Sequence, residues 1–240
     1  YVVVAVSLLL HVAFTVLFRL MIHDTDRHRR NLLLFAAVFS NCGFMGYPVM
    51  TSLIGTIGVF YGSAYNVIFT VLSWTYGIYA ITGDKTQLKL RPLLLNPGVI
   101  SIVLALALYL LEITLPDIIM TPATYLSALN TPLPMVVVGS QLSHADFRAA
   151  LKGASSWITM LLRLVAFPLL SLGICLALGL NSDLTMVLVI AASAPAAALL
   201  SMLSAKFELD SELASSMVSV QTAFSALTMP LLVSLVDYLA

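Results

Sequence analysis

Residues 40–49 read SNCGFMGYPV, from Ser40 to Val49, inside an apolar stretch otherwise long enough to cross a membrane. Proline has no N–H and crowds the carbonyl four residues earlier, so Pro48 threatens a helix at Phe44. Gly43 and Gly46 remove side chains from the same region, where backbone must turn or be closely approached. The stretch therefore predicts an interrupted helix, with Gly46 and Pro48 at the break and Asn41 beside it. Irregular backbone at that depth survives only where protein buries it or a wet cavity receives it, because each unpaired polar group costs several kcal/mol.

Composition fixes the setting of that break. Hydrophobic residues occupy 60% of 240 positions and charged residues only 9%, with a mean hydropathy of +1.04, far from the make-up of an aqueous domain. Apolar runs of about 20 residues favour membrane-spanning helices over a barrel, whose strands alternate polar and apolar in runs of about ten. Eight spans are expected, at 1–22, 31–54, 58–82, 97–115, 118–143, 153–180, 182–205 and 211–239. The fold class is an all-α polytopic membrane protein in the lipid bilayer.

Charge placement orients the spans. Basic residues gather in alternate connections: Arg27, Arg29 and Arg30; Lys85, Lys89 and Arg91; Arg148 and Lys152; Lys206. The intervening connections carry none. By the positive-inside rule the basic connections face the cytoplasm, which puts Tyr1 and Ala240 on the outer side of a cell (inner) membrane. Tyr1 already lies within an apolar span, so further chain is expected before it. Cys42 and Cys175 fall within spans and read as buried packing residues.

A second span has the same character as the first. Pro195 sits near the middle of 182–205 in VIAASAPAAALLSML, surrounded by Ser193 and by alanines that let backbones approach closely. Each broken span lies between two more regular ones, giving three-span units at 1–82 and 153–239. Two spans separate the units, so equivalent spans are offset by five, and an odd offset forces opposite orientations. That is the layout of an inverted-repeat secondary transporter, in which discontinuous helices meet near the midplane.

On these residues the chain resembles the auxin efflux carrier family, which includes plant PIN-like carriers and bacterial permeases for malate and similar organic acids. The resemblance runs over essentially the whole chain. It is carried by SNCGFMGYP, by Arg163 and Pro168 in RLVAFP, and by APAAALLSMLSAKF, with support from LLNPG and NTPLPMVVVGSQLS. It implies a bile-acid-symporter-like arrangement of five plus five helices with two crossing broken helices, eight of the ten being present. Residues 1–82 and 153–240 would then be transport-domain helices and 83–152 scaffold helices, with a homodimer formed through the scaffold. Asn41 matches the crossover asparagine that contacts a substrate carboxylate in the family. Ser40 stands where plant members have proline, Ala196 stands where they have an amide, and the connection GDKTQLKLRP is short. These departures favour a bacterial-type carrier.

The expected function is secondary or facilitative transport of small organic anions, carboxylates such as malate or auxin-like acids, by alternating access. Other expectations left open are a bile-acid-type or cation/proton-coupled carrier of the same fold, and a channel or receptor-like scaffold. Candidate substrate-binding residues are Ser40, Asn41 and Gly43 at the first break, and Ser193 and Pro195 at the second. Asn66, Thr70, Gln221 and Thr222, at comparable depth on neighbouring spans, complete the set. Arg163 is an intramembrane charge about ten residues into its span, where it either faces the bundle interior or snorkels to the headgroups.

Every Asp and Glu falls at a connection or span end, so proton or sodium coupling has no intramembrane carboxylate in this stretch of chain. His11, mid-span, reads as a hydrogen-bonded packing residue. No HExxH, CxxC or phosphate-binding glycine loop is present, so neither catalysis, a metal nor a cofactor is expected. The short basic connections do not suit nucleic acid.

Overall fold

The computed structural model describes residues 1–84, 86, 95, 97–129, 132–143 and 146–239. Lys85, Lys89 and Arg91, the Asn96 of LLNPG and Asn130 lie outside the described residues. All regular structure in the described residues is helical, apart from one isolated antiparallel bridge. Among the described residues, four helical segments are long and apolar enough to cross a membrane: Val2–Met21, Thr56–Thr82, Ala154–Ala177 and Ser211–Leu239. The polytopic, all-α reading of the sequence holds.

The two interrupted spans form the centre. Every residue from 32 to 42 and from 185 to 198 is buried, as expected of helices that are apolar on all sides. Helix Ser182–Ser193 packs against Phe167–Ala177, Ser211–Leu239 and Thr56–Leu72. Helix Arg27–Val38 packs against Val2–Met21, Ala154–Leu161 and Ile78–Thr82. Each central helix is opened by a side-chain cap: the Asp26 carboxylate accepts from His28 N at 2.8 Å, and Asn181 Oδ1 from Leu184 N at 2.9 Å.

The first break lies earlier than the sequence suggests. Helix Arg27–Val38 ends in extended backbone at Phe39, and the chain resumes as a π-helical turn, Cys42–Gly46, that runs into helix Tyr47–Ile54. Gly46 and Pro48 thus sit inside the second half-helix rather than at the break. The wider π turn accommodates the proline: Tyr47 N bonds the Cys42 carbonyl, five residues back. Pro168 uses the same device, following a π turn at Leu162–Ala166. Pro195, by contrast, does lie in its break, between Ser193 and helix Leu199–Lys206.

Span 118–143 is also not one helix. It is divided into Asp117–Ala128 and Pro132–Ser143, and the helix within 97–115 is Pro97–Leu110. Pro132 and Pro134, whose rings cannot donate to preceding carbonyls, favour a fresh helix start at that point.

Candidate functional site

The two breaks pair with each other. Asn41 N donates to the Pro195 carbonyl at 2.7 Å and Ala197 N to the Phe39 carbonyl at 2.9 Å, forming the bridge between Ser40 and Ala196. The bridge is antiparallel, so the chain runs in opposite directions through the two breaks. Backbone groups that a continuous helix would have satisfied locally are satisfied here by the other break.

Arg163 closes one side of this junction. Its guanidinium donates to the carbonyls of Ala37 (3.3 Å) and Val38 (3.0 Å) at the end of the first half-helix, and to Ala192 (2.7 Å) and Ala194 (2.9 Å) at the end of the second. Helix C-termini carry unsatisfied carbonyls and the negative end of the dipole, so one delocalised cation with a fork of donors caps both. The side chain is 0% exposed and stacks 4.5 Å from the Phe167 ring centroid. The guanidinium thus lies within the helix bundle and does not reach its surface. What the sequence did not disclose is that the acceptors are backbone carbonyls of two other helices.

On the other side of the junction lies a cavity of about 290 Å3. Ser40, Asn41, Gly43, Phe44 and Tyr47 line one wall, Ala197, Ala198, Leu199 and Met202 another, and Asn66, Phe69, Thr70 and Trp74 a third. Both half-helices that resume after the breaks thus turn their N-terminal ends to it. The first amides of a helix have no earlier helical carbonyl to bond, and those of Gly43 and Phe44 make no backbone hydrogen bond among the described residues. Asn41 Nδ2 is buried without a hydrogen-bond partner among the described residues. Donors and the positive ends of two helix dipoles converge on one space, which suits an anion.

Five of the nine candidate binding residues meet there: Ser40, Asn41, Gly43, Asn66 and Thr70. The other four do not line the cavity. Ser193 Oγ donates to the Ile190 carbonyl (2.9 Å) and Thr222 Oγ1 to that of Val218 (2.8 Å), the local back-bonding usual for buried hydroxyls. Pro195 contributes its carbonyl to the bridge. Gln221, fully buried, accepts the Ala196 amide at 3.0 Å and so braces the second break from behind.

Sequence reasoning missed Phe69, Trp74, Tyr47 and Met202. Trp74 was within reach, since it continues the i, i+4 series of Asn66 and Thr70 along one helix face. It lies in a third π turn, Ser73–Gly77. There Gly77 admits Phe35: a Cβ at Gly77 would stand 2.7 Å from the ring.

His11 is buried, with Nδ1 2.8 Å from the Ser7 carbonyl, among the rings of Phe39, Tyr65 and Phe167. Cys42 and Cys175 are buried and free. Among the described residues no cluster of His, Cys, Asp or Glu could hold a metal ion.

Comparison with known proteins agrees with this architecture. Residues 1–92 and 85–233 match the model of a family described as membrane transport protein. An uncharacterized transporter of Methanothermobacter thermautotrophicus is 30% identical over 206 residues, and the uncharacterized transporter MJ1031 of Methanocaldococcus jannaschii is 30% identical over 210. Each alignment covers 83% of this chain, which spans 66% of the length of either relative.

Proposed function

Given that the chain belongs to the membrane transport protein family, the auxin-efflux-like family whose motifs it carries, we propose that it moves small organic anions by alternating access around the paired breaks. It is a multi-pass transporter and not an enzyme. The observation that carries the substrate class is the convergence of two half-helix N-termini on the 290 Å3 cavity, in whose lining stands Asn41, its buried Nδ2 without a partner among the described residues. A neutral amide and backbone dipoles attract a carboxylate without burying a second full charge, so binding stays weak enough for release. Arg163 supports the same assignment from a distance, since its charge is committed to carbonyls and none of those bonds points into the cavity.

The antiparallel bridge supports an inverted repeat, because two units of opposite orientation bring equivalent breaks together running in opposite directions. In this proposal 1–82 and 153–240 move as the transport domain against a scaffold at 83–152, which also forms a homodimer. The basic connections, and hence the C-terminal ends of Val2–Met21 and Thr56–Thr82, face the cytoplasmic side of the cell membrane, with both chain ends outside. An impermeant reagent that labels a cysteine placed at Arg148 or Lys206 in intact cells would overturn that orientation. Flux of labelled dicarboxylates and aromatic monocarboxylates into proteoliposomes of the full-length protein tests the function. Saturable flux that Asn41→Ala weakens is expected, and no saturable flux of any organic anion rejects the substrate class.

A further inference from the structure

A second, smaller cavity of about 50 Å3 lies well away from the paired breaks and shares no lining residue with the first. It forms where the last turn of Val2–Met21, the first turn of Arg27–Val38 and the end of Ile78–Thr82 meet. Its polar lining is Arg19, Arg27, Arg30, Asn31, Tyr76 and Tyr79. Three arginines converging at the end of membrane-spanning helices repel one another unless an anion joins them.

The neighbouring carboxylates are engaged elsewhere. Asp24 binds Arg29 (3.2 Å) and the Ser155 hydroxyl (2.7 Å), Asp26 caps the helix through His28 N, and Asp84 accepts from Thr86 N and Oγ1. Arg29 also donates to the Lys152 carbonyl and to Ser156. The guanidiniums of Arg19, Arg27 and Arg30 have no hydrogen bond or ion pair among the described residues. We infer that this cavity is a binding site for an anionic phosphate group, held by Arg19, Arg27 and Arg30 with Asn31, Tyr76 and Tyr79 as neutral donors.

Phosphate fits better than carboxylate for a geometric reason. A tetrahedral group presents oxygens in several directions at once, which three guanidinium forks approaching from two helices require, whereas a planar carboxylate is saturated by one or two. The volume admits a compact headgroup and not a larger molecule. Tyrosines at a span end sit at headgroup depth, and basic pockets between spans on the positively flanked side suit anionic lipid. The phosphate group has two sources, an anionic lipid or the free ion, and the experiment separates them.

Thermal unfolding of the detergent-purified full-length protein is followed at constant ionic strength with phosphatidylglycerol, phosphatidylcholine, inorganic phosphate or malonate added. The parent is expected to be stabilised by phosphatidylglycerol in a saturable way, and its Arg27→Gln/Arg30→Gln variant to need about tenfold more of it. If that variant is not monodisperse, Arg27→Gln alone, at an exposed position, takes its place. Stabilisation by phosphatidylglycerol without inorganic phosphate assigns the site to a lipid headgroup, and stabilisation by both assigns it to any accessible phosphate. Equal stabilisation by phosphatidylcholine, malonate matching phosphate, variants that titrate like the parent, or no shift with any addition would each overturn the site. None of these readouts depends on transport, so the proposed substrate and this site stand or fall separately.

Discussion

The two breaks share a backbone geometry and differ in almost everything their side chains do. At the first, Ser40 and Asn41 bring polar side chains to a junction that opens on the cavity, with Gly43, Asn66 and Thr70 alongside. At the second, Ala194 to Ala198 offer only small apolar groups around Pro195, and the side chains that bond this backbone are borrowed from other helices, Arg163 on the Ala194 carbonyl and Gln221 on the Ala196 amide. The bridge needs both strands, yet recognition as proposed needs a polar side chain on only one of them. The second break supplies close approach, a carbonyl and a dipole, for which alanine is the fitting residue.

Arg163 is common to both breaks, and its loss should have the largest effect. Arg163→Gln cannot reach four carbonyls on two helices, so about 3 kcal/mol or more of stability should go, as for other broken buried charge networks. Thermal unfolding in detergent measures this. Arg163→Lys should recover only part of it, since one ammonium lacks the guanidinium fork; full recovery would mean that charge alone holds the breaks together.

Exchanging damage between the breaks separates their roles. Gln221→Leu leaves the buried Ala196 amide without its acceptor and should cost about 1–3 kcal/mol of stability while sparing substrate affinity per folded molecule. Asn41→Ala should do the reverse, weakening substrate binding by about 1–3 kcal/mol with little change in unfolding, because its Nδ2 has no partner among the described residues to lose. Asn41→Asp should bind worse than Asn41→Ala, since it sets a like charge against the anion. Binding and unfolding measured on the same purified samples decide the matter; if both asparagine variants bind like the parent, the first break is as structural as the second.

Gly62 tests how the first break is held in place. A Cβ there would meet Met50 Sδ at 2.5 Å and Tyr47 Cε1 at 3.1 Å, so Gly62→Ala must displace the Met50 and Tyr47 side chains of helix Tyr47–Ile54. A loss of about 1–2 kcal/mol is expected on unfolding, with weaker substrate binding through displaced Tyr47. At Gly43 the added Cβ would lie 3.8 Å from Asn66 Oδ1, an ordinary contact, so Gly43→Ala should leave stability alone and only narrow the cavity.

The smallest effect concerns the connection leading into the first broken helix. Asp24 lies below the usual carboxylate range: burial raises it, but the Ser155 hydroxyl, the Asp26 amide and Arg29 together outweigh burial. A depressed folded-state value means that its contribution is complete at neutral pH and is lost as pH falls through that value. The amount should be under about 1 kcal/mol, as for other partly exposed pairs. Unfolding midpoints from neutral to acid pH should fall less steeply in Asp24→Asn, and an unchanged slope would remove Asp24 from the account.

Apolar run length, the alternation of basic connections and two midspan prolines were enough, from sequence alone, to determine a polytopic helical membrane protein with two interrupted spans and Asn41 beside one break. Those signals are local and follow from what a bilayer forbids to any backbone. Where the first helix stops was not legible, because a π turn absorbs Pro48 and moves the break to Phe39–Asn41. Nor could sequence divide Gln221 from Asn66, two amides at similar depth. Only the tertiary structure turned one toward the Ala196 amide and the other toward the cavity. Likewise, a lone arginine in an apolar span is costly wherever it points. Its direction was settled by the carbonyls at the ends of two distant half-helices, which come within reach only when the breaks pair.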